Sequence, residues 1–319
     1  MLVDGKWMEN WQPVQKADEK GRFVRQTSSF RNWITPDGTP GPTGEGGFKA
    51  ESGRYRLYVA LICPWASRAL IARKLKGLEE MIEVTVVNPT LTDQGWSFGG
   101  LPGADEDPLF GARYMHEIYA RADPQFTGRA TVPVLWDMTR NVMVNNESAD
   151  ILRMFDTAFE HLVPSDLRLY PAHLAAEIDA LNPRLYDLLN NGVYKAGFAS
   201  SQSAYEEALK GVFDMLDELE EQLTSDYLFG DDLTETDIRA FVTLIRFDAA
   251  YHGLFKTSRR QIKDYPRLSC YLARTLDLPG VRETVDVDHI LQGYYSIKVL
   301  NPTGIVPKAP DHIAELLRL

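Results

Sequence analysis

The hydrophobic pattern of the chain changes in character near residue 158. Before that point, short apolar runs of strand length alternate with helical stretches, which predicts a β-α-β unit followed by a β-hairpin and a helix. Such an alternation is typical of an α/β domain with a parallel strand pair. The predicted strands are residues 55–62, 82–88, 132–136 and 141–145, and the predicted helices are residues 64–77 and 148–157.

Beyond residue 158 no strand pattern recurs, and apolar residues follow the spacing of a helix instead. This second half of the chain is therefore predicted to be all α-helical. Apolar stripes of helical spacing cover residues 174–188 and 209–223, and an apolar run covers 238–247. Further helices are predicted near 266–276 and 280–291, with a short helix at the end of the tail 301–319.

One helix start is marked by a specific motif. Thr234 and Asp237 are spaced as a capping box, in which two side chains satisfy the backbone N–H groups that a helix leaves unpaired at its first turn. Leu233 and Ile238 stand at the positions of a hydrophobic staple around the same turn. The motif predicts that a buried helix begins at this point.

The first 52 residues show little periodicity but are rich in aromatic side chains, which a disordered tail normally lacks. We therefore predict an N-terminal extension packed against the folded body over residues 1–52, an α/β domain over 53–158 and an all-helical domain over 170–319. Glycine and proline dominate residues 35–53, as in a loop. The aromatic residues of the extension include Trp7, Trp11, Phe23, Phe30 and Trp33.

Composition and charge limit the possible partners. The chain has 319 residues and a net charge of −11, and basic residues are not clustered, so we predict no binding of nucleic acid. No apolar run approaches the ~18 residues of a membrane span, so we predict no membrane partner. Only two cysteines occur and the six histidines lack metal-ligand spacing, which predicts a cytoplasmic protein without a metal.

The two cysteines are predicted to differ in role. Cys63 ends an apolar strand and precedes Pro64, a residue favoured at the first position of a helix. The unpaired N–H groups of a helix start stabilise a thiolate, so Cys63 is the candidate nucleophile. Ala66 rules out an internal Cys-x-x-Cys disulfide, and a second thiol must then come from another molecule. Cys270 has apolar neighbours, and we predict that it lies in the core.

Three segments carry a resemblance to a known family: Cys63-Pro-Trp-Ala66, residues 131–137 together with 145–148, and Asn190-Asn-Gly-Val-Tyr-Lys-Ala-Gly-Phe198. The chain resembles the glutathionyl-hydroquinone reductases, or Xi-class glutathione transferases. The resemblance implies a thioredoxin-like N-terminal domain, an all-helical C-terminal domain, glutathione as co-substrate and a homodimer.

The resemblance also implies a glutathione-binding site. The backbone of Val132 and Pro133, with a cis bond between them, would face the catalytic helix start and pair with the extended tripeptide. Glu147 and Ser148 suit the ammonium and carboxylate of the γ-glutamyl group, although their residue types fit a plain helix cap equally well. Trp96 and Arg129, in a long loop, match residues that contact glutathione in the family. The implied set is therefore Trp96, Arg129, Val132, Pro133, Glu147 and Ser148.

Tyrosines of the helical domain are the candidates for contact with an aromatic substrate. In the family, phenols at the positions of Tyr194, Tyr251 and Tyr294 gather around the aromatic ring. A phenol can pack on a ring and also hydrogen-bond its hydroxyl groups. For any single one of the 14 tyrosines, a place in the core with its hydroxyl satisfied is the more common role. Tyr295 adjoins Tyr294, so the assignment there can be off by one.

The predicted activity is the reductive removal of glutathione from an S-glutathionyl-hydroquinone, through a disulfide between Cys63 and glutathione. A thiol transferase or dehydroascorbate reductase of the omega type is one alternative. A non-catalytic binding module with the same fold is another, and an unreactive Cys63 would favour it. A serine-type conjugating transferase fits less well, because it would carry a hydroxyl group at position 63.

Overall fold

The chain folds into two compact units in a computed structural model that describes residues 1–8 and 17–318. Of these residues, the first unit holds 1–8 and 26–167, and the second holds 17–25 and 168–318. Trp11, which we predicted to pack against the body, lies outside the described residues. Within those residues, no helix is long and apolar enough to cross a membrane.

The first unit is built on a four-stranded mixed sheet. Its strands stand in the order β4 (Ile82–Val86), β3 (Tyr55–Val59), β5 (Val134–Asp137) and β6 (Val142–Asn145). Strand β3 is central, and every one of its residues is buried. It runs parallel to β4 and antiparallel to β5, which forms a hairpin with β6. A small hairpin of β1 (Leu2–Val3) and β2 (Lys6–Trp7) precedes these four strands in the chain.

Three helices complete this unit, and the first of them packs beside the third. They are α1 (Pro64–Leu75), α2 (Met115–Ala122) and α3 (Ser148–Thr157). The predicted order of strands and helices is therefore confirmed. The first predicted strand was too long at its end, because the chain turns after Val59 and the Cys63 amide donates to the Ala60 carbonyl at 2.9 Å.

The N-terminal segment contributes to both units. In the first unit, Leu2 pairs with Gly128 and Trp7 stacks on His116 with ring centroids 4.4 Å apart. In the second unit, Phe23 packs against the rings of Tyr194 and Phe198.

The second unit is all helical in its described residues. Its α-helices are α4 (Ala175–Leu185), α5 (Gly192–Gly197), α6 (Gln202–Gln222), α7 (Glu235–Arg246), α8 (His252–Leu254), α9 (Pro266–Leu276), α10 (Val287–Tyr295) and α11 (Asp311–Leu317). Two π-helical turns, Tyr186–Asn190 and Phe247–Tyr251, continue α4 and α7.

One helix of this unit starts later than the hydrophobic pattern predicts. We expected a helix over residues 280–291, but α10 begins at Val287 after a short 3₁₀ turn, Arg282–Thr284. The Asp286 carboxylate accepts the His289 amide at 2.8 Å and caps the helix. The cap, and not the first apolar residue, decides where the helix begins.

Cys270 is exposed, so the prediction that it lies in the core is wrong. It does lie on a helix, α9, but the buried face of that helix is formed by Leu268, Tyr271, Leu272 and Leu276. Apolar neighbours in sequence are about 100° apart around a helix, so they do not place the residue between them on the same face.

The predicted capping box at the start of α7 is confirmed. The Asp237 carboxylate accepts the Thr234 amide and hydroxyl, each at 2.8 Å, and also the Leu228 amide at 3.0 Å. Tyr271 donates its hydroxyl to the same carboxylate at 3.1 Å. Asp237 is completely buried. If the carboxylate is removed, these donors therefore lose their acceptor at a site that solvent does not reach.

We expect the Asp237→Ala substitution to lower the free energy of unfolding by about 2–4 kcal/mol, because it leaves several buried donors without an acceptor. Thermal and urea unfolding measure the loss. Asp231→Ala, at an exposed position just before the same helix, is the control and should shift stability by less than ~0.5 kcal/mol. Equal effects from the two substitutions would contradict the role given to Asp237.

Candidate active site

Cys63 occupies the N-cap position of α1, with Pro64 as the first helical residue. Its backbone is extended and its carbonyl accepts the Ser67 amide at 3.0 Å, which closes the first helical turn. Cys63 is 9% exposed, so the residue is largely buried but retains some contact with solvent. A sulfur at the positive end of a helix is favoured as the thiolate, which is the reactive form.

The turn that faces Cys63 contains the Val132–Pro133 peptide, which is cis, as the resemblance implies. The Cys63 sulfur lies 3.5 Å from the Val132 carbonyl oxygen. Strand β5 begins directly after this turn, where Val134 pairs with Tyr58 of the central strand. The sheet therefore holds the turn and the thiol side by side, as thiol chemistry on a bound peptide requires.

Glu147 and Ser148 lie at the start of α3, and Glu147 acts as its cap. The Glu147 carboxylate accepts the Ala149 amide at 3.1 Å and the Ser28 hydroxyl at 2.9 Å. The Ser148 side chain is buried, and its oxygen lies 3.5 Å from the same carboxylate. Capping does not exclude ligand binding, because a helix start with amides and a hydroxyl group also suits a carboxylate.

Arg68 is a component of this region that the sequence analysis missed. Its side chain is 1% exposed, and its Nη1 atom lies 3.5 Å from the Ser148 hydroxyl oxygen. The guanidinium also lies 4.5 Å from the ring centre of Trp65. An arginine in a helix usually suggests a surface position. Helical phase gives no signal for it, because α1 is buried over the continuous run from Ala66 to Ala72 and not along one face.

A second arginine braces the same helix start. Arg31 forms an ion pair with Asp150 in the first turn of α3, through two parallel hydrogen bonds. Hydrogen bonding to this carboxylate raises the pKa of Arg31 further above its usual value. The Asn145 side-chain amide also donates to Asp150, at 3.2 Å. These contacts fix α3 against the N-terminal segment and therefore fix the position of Ser148.

Trp96 and Arg129 lie in the loop between β4 and β5. Trp96 is partly exposed, and its carbonyl accepts the Met115 amide at the start of α2. The Arg129 amide donates to the Gln26 side chain at 3.0 Å. These contacts position the backbone of both residues, and their binding of glutathione stays a prediction. The described contacts bring Cys63 to Val132, and Ser148 to Glu147 and Arg68.

The second unit contains a chain of three phenols, Tyr194–Tyr294–Tyr251. The Tyr294 hydroxyl lies 2.7 Å from the hydroxyl of Tyr194 and 2.7 Å from that of Tyr251. Three elements supply the phenols, which are α5, α10 and the π-helical turn after α7. Tyr295 is outside this chain and packs beside Gly253. Of the two adjacent tyrosines, Tyr294 is the one that joins this chain, and its contact with a substrate stays a prediction.

The phenol chain is buried in an aromatic environment. Tyr251 is 0% exposed and Tyr294 is 2% exposed, whereas Tyr194 is only partly buried. Burial, and then the neighbouring tyrosines, raise the pKa of Tyr294 well above its usual value, and Arg246 opposes that shift. Burial likewise raises the pKa of Tyr251. Both phenols therefore keep their protons and can donate hydrogen bonds at neutral pH.

Two further side chains hold the outer end of the phenol chain. The Arg25 guanidinium lies 4.7 Å from the ring centre of Tyr194 and donates to Asn191 at 2.8 Å. Phe255 packs edge-on against Tyr194, with centroids 5.3 Å apart. A cation over an aromatic ring is an attractive contact, so Tyr194 is held in place although it is partly exposed.

The chain is similar over nearly its whole length to known proteins. Family models described as the N-terminal and C-terminal domains of glutathione S-transferase match residues 62–158 and 202–274. The glutathionyl-hydroquinone reductase YqjG of Escherichia coli (strain K12) is 50% identical over 312 residues, which cover 97% of this chain and 94% of that protein.

Solved structures agree with these matches. The glutathione-bound structure of YqjG from Escherichia coli K-12 aligns with a TM-score of 0.89 and 48% identity, covering 97% of this chain and 95% of that one. The glutathione-S-transferase Xi from Phanerochaete chrysosporium aligns with a TM-score of 0.86 and 48% identity, covering 90% of this chain and 97% of that one. The predicted glutathione transferase fold is confirmed.

Proposed function

Because this chain belongs to the glutathione S-transferase family, and within it to the glutathionyl-hydroquinone reductases of the Xi class, we propose that it is an oxidoreductase that removes glutathione from S-glutathionyl-hydroquinones. The observation that carries the mechanism is the position of Cys63, whose sulfur lies at a helix start and 3.5 Å from the carbonyl of the cis-proline turn. Glutathione is the co-substrate, and no step requires a metal.

In the first step the Cys63 thiolate attacks the glutathione sulfur of the substrate. A Cys63–glutathione disulfide forms, the bond between sulfur and the ring carbon breaks, and its electron pair passes to the ring. Together with one proton from solvent, this electron pair converts the C–S bond into a C–H bond, so the ring is reduced while the Cys63 and glutathione sulfurs are oxidised to the disulfide. In the second step a glutathione thiolate attacks this disulfide, releases glutathione disulfide and restores the Cys63 thiolate.

The ring carbon is the difficult part of the first step, because an aryl carbanion is a poor leaving group. A keto tautomer of the ring, already protonated at that carbon, solves the problem, since cleavage then leaves an enolate. Hydrogen-bond donors aimed at the enolate oxygen lower the barrier to its formation. We assign Tyr194, Tyr294 and Tyr251 to this role as a unit, because two of their three hydroxyl protons join the phenols to one another and one remains to donate to the enolate oxygen.

The binding of glutathione is assigned to backbone and side-chain groups of the first unit. The backbone of Val132 and Pro133 suits the extended cysteinyl-glycine part of the tripeptide. Ser148 and the amides of α3 suit the γ-glutamyl carboxylate, and Glu147 suits the ammonium group. The buried cation of Arg68, 3.5 Å from the Ser148 oxygen, adds a positive charge for that carboxylate. The Trp96 indole is assigned to stacking on the peptide, and the Arg129 guanidinium to its glycyl carboxylate.

The raised pKa values of the phenols lead to an expected pH profile. We expect the rate of C–S cleavage to rise with pH as the Cys63 thiol ionises, and not to fall again until pH exceeds about 10, because burial keeps Tyr251 and Tyr294 protonated to that point. Stopped-flow release of hydroquinone in single turnover measures this profile. A falling limb centred below about pH 9 that disappears in Tyr294→Phe would contradict the assignment.

The proposed function is tested by comparing three substrates, each with glutathione supplied. We expect rapid turnover of glutathionyl-menadiol, and little turnover of dehydroascorbate or of an electrophile that accepts glutathione. Preference for dehydroascorbate would favour the omega-like alternative, and inactivity on all three would favour a non-catalytic binding module. Detection of free hydroquinone and glutathione disulfide in equal amounts would establish the stoichiometry of the reaction.

We further propose a cytoplasmic homodimer. The presence of only two cysteines fits a reducing compartment, where the Cys63 thiol stays reduced. Multi-angle light scattering at working concentrations measures the mass in solution, and a mass of twice 36.0 kDa is expected.

A further inference from the structure

The C-terminal helix α11 packs against both elements that carry the buried phenols of the second unit. Ile313 of α11 is 1% exposed and forms one apolar cluster with Ala249, Val287 and Leu291. Ala249 belongs to the π-helical turn that ends at Tyr251, and the other two belong to α10, which carries Tyr294. Ile313 of α11 therefore belongs to the same apolar cluster as residues from the two elements that carry Tyr251 and Tyr294.

A polar contact fastens the same helix to the π-helical turn. His312 Nε2 lies 2.8 Å from Asp248 Oδ2, and because a carboxylate accepts, the histidine N–H donates. Asp248 is buried and stands three residues before Tyr251. Its other oxygen accepts the Ile262 amide at 2.7 Å. The carboxylate thus joins the turn to α11 and to the segment before α9.

We propose that His312 and Asp248 are positioning residues that hold the phenol chain in its hydrogen-bonded arrangement, so that α11 sets the geometry of the donors needed for C–S cleavage. The inference rests on the proposed function of the phenol chain. It adds that the C-terminal segment determines how fast the three phenols promote C–S cleavage. Neither residue is assigned a contact with the substrate.

The need for such a brace follows from the distances in the phenol chain. Tyr251 and Tyr294 are 43 residues apart in sequence, yet their hydroxyl oxygens are separated by only 2.7 Å. One of them lies in a π-helical turn, an irregular element that is common at functional sites. Misplacement of a catalytic donor by about 1 Å can cost about 10²-fold in rate. The contact between His312 and Asp248 fastens the π-helical turn to the helix that packs against both supporting elements. It can therefore change the rate without touching the substrate.

The test uses the full-length protein and three variants: His312→Ala, His312→Gln, which can still donate to Asp248, and His173→Ala as matched control. His173 also contacts a carboxylate, that of Asp232, but both side chains are more than half exposed. We expect His312→Ala to lower kcat for glutathionyl-menadiol by about tenfold with little change in KM, and His312→Gln to restore most of it. His173→Ala should match the parent protein.

A second activity separates positioning from a general structural effect. Reduction of a small glutathione mixed disulfide requires Cys63 but no enolate, so it should be unchanged in His312→Ala. Equal losses in both activities would overturn the proposal, because they would indicate general destabilisation. Full turnover of glutathionyl-menadiol by His312→Ala would overturn it as well. Loss of this turnover in the parent protein itself would instead refute the proposed function.

Amide hydrogen exchange tests the brace without reference to activity. We expect His312→Ala to speed exchange in peptides that cover residues 247–255 and 287–297, while His173→Ala leaves both unchanged. Exchange at the start of α1 should not respond to either variant. Unchanged exchange in the two peptides of His312→Ala would overturn the proposal whatever the substrate proves to be.

Discussion

Replacing Cys63 with alanine is expected to reduce turnover of glutathionyl-menadiol by at least about 10³-fold, because the covalent route is lost with the nucleophile. The fold should survive, because the substitution removes only the sulfur atom and leaves the backbone hydrogen bonds of the helix start in place. Steady-state assay of released hydroquinone measures the loss, and circular dichroism with thermal unfolding confirms that the variant is folded.

Cys270 provides the matched control for this experiment. It is the other cysteine of the chain, and it is exposed on α9, in the helical unit. Cys270→Ala should keep full turnover and should still take up one equivalent of iodoacetamide at Cys63. Residual activity of more than a few per cent in Cys63→Ala would show that the principal route does not pass through this thiol.

Tyr294→Phe is expected to have the second-largest effect, a loss of about 10²-fold in kcat for glutathionyl-menadiol. Its hydroxyl is the centre of the phenol chain, so removing it breaks both hydrogen bonds of the chain at once. Removing the hydroxyl of Tyr194 or Tyr251 breaks one of them and should cost less. Reduction of a small glutathione mixed disulfide should be nearly unchanged, because no enolate forms in that reaction.

The adjacent residue serves as the control, since Tyr295→Phe removes a phenol of the same helix that lies outside the chain. Tyr295 packs near Gly253 and the apolar cluster around Ile313. We expect its kcat to remain within about twofold of the parent protein, as for a hydroxyl that does not touch the reacting groups. Equal losses in Tyr294→Phe and Tyr295→Phe would mean that the phenol chain has no special role.

The order of elements could be predicted from sequence because periodicity reflects burial, which the chain expresses locally. Helices α3 and α9 have the boundaries that the apolar pattern indicates, and the capping box at Thr234 and Asp237 forms as predicted. Such features depend on residues within one or two turns of one another. The family resemblance, with the fold that it implies, is confirmed by the relatives.

Features that depend on distant residues were not predictable in the same way. His312 contacts Asp248 across 64 positions, and Arg68 reaches Ser148 across 80. The three tyrosines were named through the resemblance, but nothing in one sequence states that Tyr194 and Tyr294, 100 residues apart, share a hydrogen bond. Cys270 failed for a related reason, because its exposure depends on which face of α9 packs against the other helices.

The most direct test of the account is quenched intact-mass analysis of a single turnover, with glutathionyl-menadiol in excess and no free glutathione present. The account predicts one glutathione per chain, attached at Cys63, and one equivalent of free menadiol formed at the same rate. Addition of glutathione should then remove the adduct and yield glutathione disulfide. Release of menadiol without any adduct on Cys63 would contradict the central claim, that a Cys63–glutathione disulfide lies on the reaction path.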